Sequence, residues 1–165
     1  MYSISPIGYV RSSREVPRDD FWGDETARIE LAPGVPAESL QGLEEFSHAE
    51  VLFVFHHDAA DAADAAGTWA RHPRGNQAWP RVGIFAQRAR RRPNRIGATI
   101  VRVVAVEGSF LIIDGIDATD GTPVVDIKPV FREFLPNELV RQPAWATALM
   151  ADYWRTTPTD QESAS

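Results

Sequence analysis

Residues 98–114, ATIVRVVAVEGSFLIID, consist of two apolar, β-branched segments that meet at Gly108-Ser109. That pattern commits the chain to a hairpin, because β-branched side chains pack well on a pleated sheet and a Gly-Ser step between two apolar runs marks a tight turn. The pattern recurs along the chain. YSISPIGYV and TARIEL alternate, AEVLFVFHH is a nearly continuous apolar run suited to a strand buried on both faces, and VGIFA and PVVDIKPV read as further strands. Many short strands separated by turns predict a mainly-β chain closed as a small single-sheet β-barrel.

Helices are expected only as additions. PGVPAESLQGLEEF reads as a turn and a short helix, with Ser39 or Glu38 near its start. Asp58 to Pro80, DAADAADAAGTWARHPRGNQAWP, combines helix-favouring alanines with Gly67, Pro73, Gly75 and Pro80, which predicts a short helix and then a long irregular loop. PAWATALMADYW predicts a C-terminal helix with Pro143 in its first turn and Trp145, Leu149 and Tyr153 along one face. One domain is expected over residues 1–154, followed by a polar, frayed tail over residues 155–165.

Composition removes several chemistries. With no cysteine, disulfides, thiolate metal sites and thiol nucleophiles are out. The apolar runs are too short to cross a bilayer and MYSISPIGYVRSS lacks the layout of a signal peptide, so no membrane partner and a cytoplasmic location are expected. A net charge of −6 argues against non-specific nucleic-acid binding over the whole surface, yet permits a local basic patch. No P-loop, GxGxxG or GxSxG motif occurs. His48, His56, His57 and His72 show no metal-ligand spacing, so no metal is expected.

Against that acidic background stands GIFAQRARRRPNRIG, which packs Arg88, Arg90, Arg91, Arg92 and Arg95 into eight residues. One reading is a solvated loop paired with nearby carboxylates. The other is an anion site, since guanidinium forks bind carboxylate or phosphate bidentately and Pro93, Asn94 and Gly97 restrict the loop. GIDATDGTPVVDIKP likewise has two readings. Asp120-Gly121 is a turn signal, while Asp117 and Asp120 could accept hydrogen bonds from ribose hydroxyls or an amine, with turn amides open to a ligand. Asp126 and Lys128, the only lysine, share one strand face, where burial would require them to pair.

In order, IGYVRS, IEL, GLEEFSHAEVLFVFH, HPRG, GIFAQRARRRPNRIG and DGIDATDGTPVVDIKP resemble the TsaA-like (TrmO/YaeB) family of β-barrel methyltransferases over roughly residues 5 to 130. The resemblance implies a cofactor, S-adenosyl-L-methionine, and a homodimer with cofactor sites near the subunit interface. It implies cofactor contacts at Pro17, Arg18, Asp19, His56, His57, Arg88, Ala98, Asp117, Ala118, Thr119, Asp120, Gly121 and Thr122. The founding activity is N6-methylation of threonylcarbamoyladenosine in tRNA. Where that family reads TRSPxRPNPIG, this chain carries Gln87, Ala89, Arg90 and Arg95 in place of Thr, Ser, Pro and Pro. Arg88 and Arg92 are the candidates for site geometry, Asp126 or Asp120 for proton acceptance, and Asp126 with Lys128 for a supporting pair. Three functions follow: N-methylation of tRNA, methylation of a small molecule, or a SAM-binding regulatory module without turnover.

Overall fold

The computed structural model describes residues 3–57 and 69–157. Alternation decides its interior. In TARIEL the side chains of Ala27, Ile29 and Leu31 are buried while Thr26 and Arg28 face out. The same period puts Ala49, Val51 and Phe53 inside and leaves Glu50, Leu52 and Val54 half-buried on the outer face. AEVLFVFHH is therefore not buried on both faces, because a barrel has only one dry side.

Among the described residues eight strands form: β1 (Gly8–Arg11), β2 (Thr26–Leu31), β3 (His48–Val54), β4 (Ala70–Arg71), β5 (Val82–Gly83), β6 (Ile96–Glu107), β7 (Phe110–Asp114) and β8 (Pro123–Pro129). Six close a barrel in the order β1-β2-β7-β6-β3-β8, and β4 and β5 make a separate two-stranded ribbon. Every barrel pairing is antiparallel. Closure leaves no unpaired sheet edge to aggregate. The predicted β6–β7 hairpin turns at Gly108-Ser109, with Glu107 opposite Phe110. Register shifts at Val103/Ala105 in β6 and opposite Leu52/Phe53 in β8 supply the bends that a small barrel needs.

The core is the set Val10, Ile29, Val51, Phe53, Val101, Leu111, Ile113, Ile116 and Val124, each at most 1% exposed. Burial of such side chains stabilises by about 1.5–3 kcal/mol apiece. Gly97 is part of this packing. A β-carbon there would lie 2.5 Å from the Phe53 ring and 3.0 Å from the Phe55 ring, so only glycine lets β6 pass these aromatics.

Expected helices mostly become tighter turns. PGVPAESLQGLEEF forms two 3-10 turns, Ala37–Leu40 and Leu43–Glu45, separated by Gly42. Within VGIFA only Val82 and Gly83 are strand, and Ile84–Ala86 is a 3-10 turn. The C-terminal helix α1 covers Ala144–Leu149 and stops short of Tyr153. The helix expected after Asp58 and most of the expected tail lie outside the described residues.

In an antiparallel barrel, strand ends alternate between the rims. The C-terminal ends of β1, β3 and β7 and the N-terminal ends of β2, β6 and β8 therefore share one rim. The connections on that rim are 12–25, 55–95 and 115–122.

Candidate functional site

The rim connection 115–122 is held from below. Asp120 N–H donates to the Arg14 carbonyl at 2.7 Å, Gly121 N–H to Val10 at 2.8 Å, and Thr122 N–H to Thr119 at 3.2 Å. Asp120 Oδ1 in turn accepts the Ser12 N–H at 3.1 Å. The amides of Asp120, Gly121 and Thr122 are thus taken by carbonyls of the 12–25 connection, of β1 and of the turn itself. Side chains carry what the turn presents. The Thr119 and Thr122 hydroxyls are buried 3.4 Å apart, and Thr122 Oγ1 lies 3.3 Å from His56 Nδ1. The His56 and His57 rings sit 4.0 Å apart at the end of β3. His48 is at the other end of the same strand.

Asp117 is held on both carboxylate oxygens. Its Oδ1 accepts the Thr99 hydroxyl and its Oδ2 accepts the Tyr153 hydroxyl at 2.5 Å. Burial, then the Asp117 charge, pushes the Tyr153 phenol well above its usual value, while Arg88 and Arg74 oppose that shift. The phenol is therefore a donor throughout the working pH range. Tyr153 reaches the rim because residues 152–155 run alongside 21–23. Phe21, Trp22 and Gly23 N–H groups donate to the carbonyls of Asp152, Tyr153 and Arg155 at 3.1, 2.8 and 3.2 Å. A β-carbon on Gly23 would lie 2.0 Å from the Trp154 carbonyl oxygen, so the approach requires glycine.

The arginine loop is built, not floppy. Gln87, buried, donates to the carbonyls of Arg71 and Val82, both at 3.1 Å, tying the loop to β4 and β5. Arg92 Nη1 donates to the Gln87 carbonyl at 3.0 Å, Arg71 Nη2 to the Arg91 carbonyl at 2.7 Å, and Arg88 to the Ala98 carbonyl. Arg95 closes the loop at φ 51°, with its N–H on the Arg92 carbonyl at 3.0 Å. Proline, with φ near −65° and no N–H, could do neither. The change from the family's pattern at this position therefore goes with a turn that proline cannot make. Burial and the neighbouring Arg91 charge both lower the Arg71 proton affinity, a sign of crowded cations.

Arg74 bridges loop and rim. It forms a two-pronged pair with Asp20 at 2.8 and 2.9 Å and donates to the Asp19 carbonyl at 2.7 Å. The Asp20 hydrogen bond chiefly raises its proton affinity. Beneath, Arg14 pairs with Glu25 at 2.5 Å and covers the Trp22 ring at 4.7 Å. Their side chains are 10% and 5% exposed, which makes this the buried ion pair of the rim.

The rim thus brings together Asp19, His56, His57, Arg88, Ala98 and the Asp117 to Thr122 turn, with Pro17 and Arg18 in the same 12–25 connection. Asp126 and Lys128 lie apart. They pair with each other, but on the outer face of β8, opposite Leu52 and Glu50, and are 43% and 59% exposed. The expected pair exists, though in solvent and not in the barrel. Arg92 acts through the loop backbone. Thr99, Tyr153, Arg74 and the Arg14–Glu25 pair were not singled out from sequence. The only signal for Thr99 was its inward-facing place in a strand, and Tyr153 carried none, since its contact crosses 36 residues.

Fold and site define a class: a closed six-strand antiparallel barrel with one polar rim. The chain belongs to the family of the tRNA-methyltransferase O N-terminal domain, which it matches over residues 9–134. It is 42% identical over 117 residues to the tRNA (adenine(37)-N6)-methyltransferase of Escherichia coli, covering 65% of this chain and 46% of that one. It is 35% identical over 127 residues to the "Probable S-adenosyl-L-methionine-binding protein" of Pyrococcus horikoshii, covering 77% of this chain and 81% of that one. The crystal structure of TrmO from Pseudomonas aeruginosa superposes with a TM-score of 0.68 at 34% identity, over 88% of this chain and 62% of that one. The chain spans about half the length of the first curated relatives it matches.

Proposed function

We propose that the polar rim binds S-adenosylmethionine and that the protein methylates a nitrogen, with an adenine N6 in tRNA as the acceptor. The observation that carries this reading is convergence: segments scattered over a hundred residues meet on one rim in a chain of this family. The donor set fits the cofactor's chemistry. Arg88 offers a fork for a carboxylate, Asp117 accepts from an ammonium or ribose hydroxyls, and His56 with Thr119 and Thr122 provides small polar contacts. When bound, the cofactor would supply a methyl group to an attacking nitrogen, the N–C bond forming in line with the breaking C–S bond, with the thioether as leaving group and the nitrogen's proton passing to water. The protein's share is then alignment, which contributes about 7–11 kcal/mol when reacting atoms are held near attack.

Arg91 with Arg71 beside it, and Arg90, whose pair with Asp19 is a loose 3.8 Å, supply local positive charge for a phosphate backbone on an otherwise acidic chain. A catalytic role for Asp126 and Lys128 requires an acceptor that reaches the outer face of β8. We place the working form as a cytoplasmic homodimer. Support for a second copy comes from the exposed apolar side chains Phe131, Phe134, Leu135, Leu139 and Val140, which follow β8. No helix among the described residues is long and apolar enough to cross a membrane.

The test is calorimetric titration of S-adenosylmethionine into the protein, then methyl transfer to total tRNA and to a metabolite extract. Micromolar binding lost in Arg88→Ala, with transfer to tRNA that weakens in Arg90→Glu and falls steeply with salt, supports the reading. Transfer confined to the extract would assign a small-molecule acceptor instead, a reading favoured by the net charge of −6. Tight binding with no transfer to either would leave a SAM-binding module.

A further inference from the structure

The family match ends at residue 134, yet the chain returns to the rim beyond it. β8 ends on the opposite rim, because its N-terminal end lies beside the site. Seven residues of strand span roughly 20 Å, so the chain after Pro129 must travel back along the whole barrel before Asp152 meets Phe21. Three backbone hydrogen bonds, and a glycine at the point of closest approach, then fix residues 152–155 against 21–23. This seam sets one side chain into the site: the Tyr153 hydroxyl, on Asp117 Oδ2.

We propose that residues 152–155 form a wall of the methyl-donor site and that Tyr153 is a positioning residue for Asp117. The proposal rests on the S-adenosylmethionine reading of the rim. A carboxylate held by one hydroxyl on each oxygen cannot rotate, and each oxygen keeps a lone pair for a further donor. Thr99, from β6, fixes one oxygen from inside the barrel; Tyr153, from the returning chain, fixes the other. Asp117 is thereby aimed at hydrogen-bond donors of the ligand, an ammonium or a ribose hydroxyl pair. The single proton of the Tyr153 hydroxyl is committed to Asp117 Oδ2, so the phenol holds the acid in place. The site of this chain is completed by residues beyond the stretch, 9–134, that matches the family's domain.

Two measurements test this on the full chain. The first needs no ligand: an absorbance titration of phenol ionisation to pH about 11, comparing the wild type with Tyr153→Phe. Equal numbers of ionising phenols are expected, since Tyr153 is clamped. One extra phenol titrating with the usual midpoint in the wild type would overturn the proposal. The second is a double-mutant cycle on S-adenosylmethionine affinity with Tyr153→Phe, Asp117→Asn and the double variant. Tyr153→Phe is expected to weaken binding about tenfold, the scale of one hydrogen bond to a charged group, and to have no further effect once Asp117 is asparagine. An unchanged affinity in Tyr153→Phe, or the same loss in both backgrounds, sinks the positioning role while the cofactor reading stands. A wild type that binds no S-adenosylmethionine sinks the cofactor reading and this role with it, even if the phenol titration shows the clamp.

Discussion

The two rims of the barrel are made from the same six strands and share nothing else. The rim opposite the site carries a two-residue hairpin, Gly108-Ser109, and two 3-10 turns whose residues, Leu40 apart, are partly or fully exposed. The site rim carries the connections 12–25, 55–95 and 115–122 and nearly all of the long-range side-chain bonding, including Arg14–Glu25, Arg74–Asp20, Thr99–Asp117 and Tyr153–Asp117. Length does not separate the rims, because the opposite connection over 32–47 is longer than 12–25 and 115–122. That connection is made of turns closed on themselves, Ser39 N–H on the Pro36 carbonyl and Gln41 N–H on that of Glu38, whereas on the site rim Asp120 N–H bonds across to Arg14. Polar groups come to be fixed in one place where connections bond to one another.

The largest test of that contrast is Glu25→Ala. It takes the nearer of two carboxylates from the Arg14 guanidinium, which keeps Asp24 at 3.3 Å and the Phe21 carbonyl, and urea unfolding is expected to show a loss of about 1.5–3 kcal/mol. Ser39→Ala on the opposite rim should stay within about 0.5 kcal/mol; equal losses would dissolve the distinction between the rims. Next comes Arg95→Pro, which restores the family's residue into a backbone at φ 51°. We expect a loss of about 1–3 kcal/mol from a forbidden φ and a missing N–H bond, and unchanged stability would show that the loop refolds to the family's form.

A third test uses pH. The folded-state pKa of Tyr153 lies above its unfolded value near 10.0, so the native state keeps a proton that the unfolded chain releases. Its contribution is complete below pH 10 and is lost as pH rises beyond it, at up to about 1.4 kcal/mol per pH unit. Denaturant midpoints between pH 9 and about 11 should fall faster for the wild type than for Tyr153→Phe; parallel curves would break the seam. The smallest effect is expected from Lys128→Ala. An exposed pair contributes at most about 1 kcal/mol, and methyl transfer should change less than twofold; a large loss of transfer with intact stability would return Asp126–Lys128 to the catalytic machinery.

Tyr153 and β2 mark the two ends of what could be read in advance. TARIEL became a strand with the bounds its alternation indicated, because a period of two is written in consecutive residues and any sheet must honour it. Most of the strands and the hairpin followed from the same local rule, and the RPNRIG and DGTPVVDIKP motifs located the family and with it much of the rim. The short helices misread differently. Their alanines and acids favour helix, but Gly42 in the left-handed region splits one segment into two 3-10 turns, and the other gives way after Leu149 to the stretch whose carbonyls at Asp152, Tyr153 and Arg155 accept from residues 21–23. AEVLFVFHH misread because apolarity alone cannot tell two buried faces from one buried face and one half-covered.

Local order alone, then, determined most of the strands, the Gly108-Ser109 hairpin and the cationic loop, since each depends on residues adjacent in the chain, whereas closure sets Gly8 beside Val124. Tertiary structure decided which rim would be chemical, that the Asp120 turn amides would be bonded inward, that Asp126–Lys128 would face solvent, and that Tyr153 would reach Asp117. Each of these depends on partners brought together only when the barrel closes and the chain returns along its side. No short-range pattern records such a meeting.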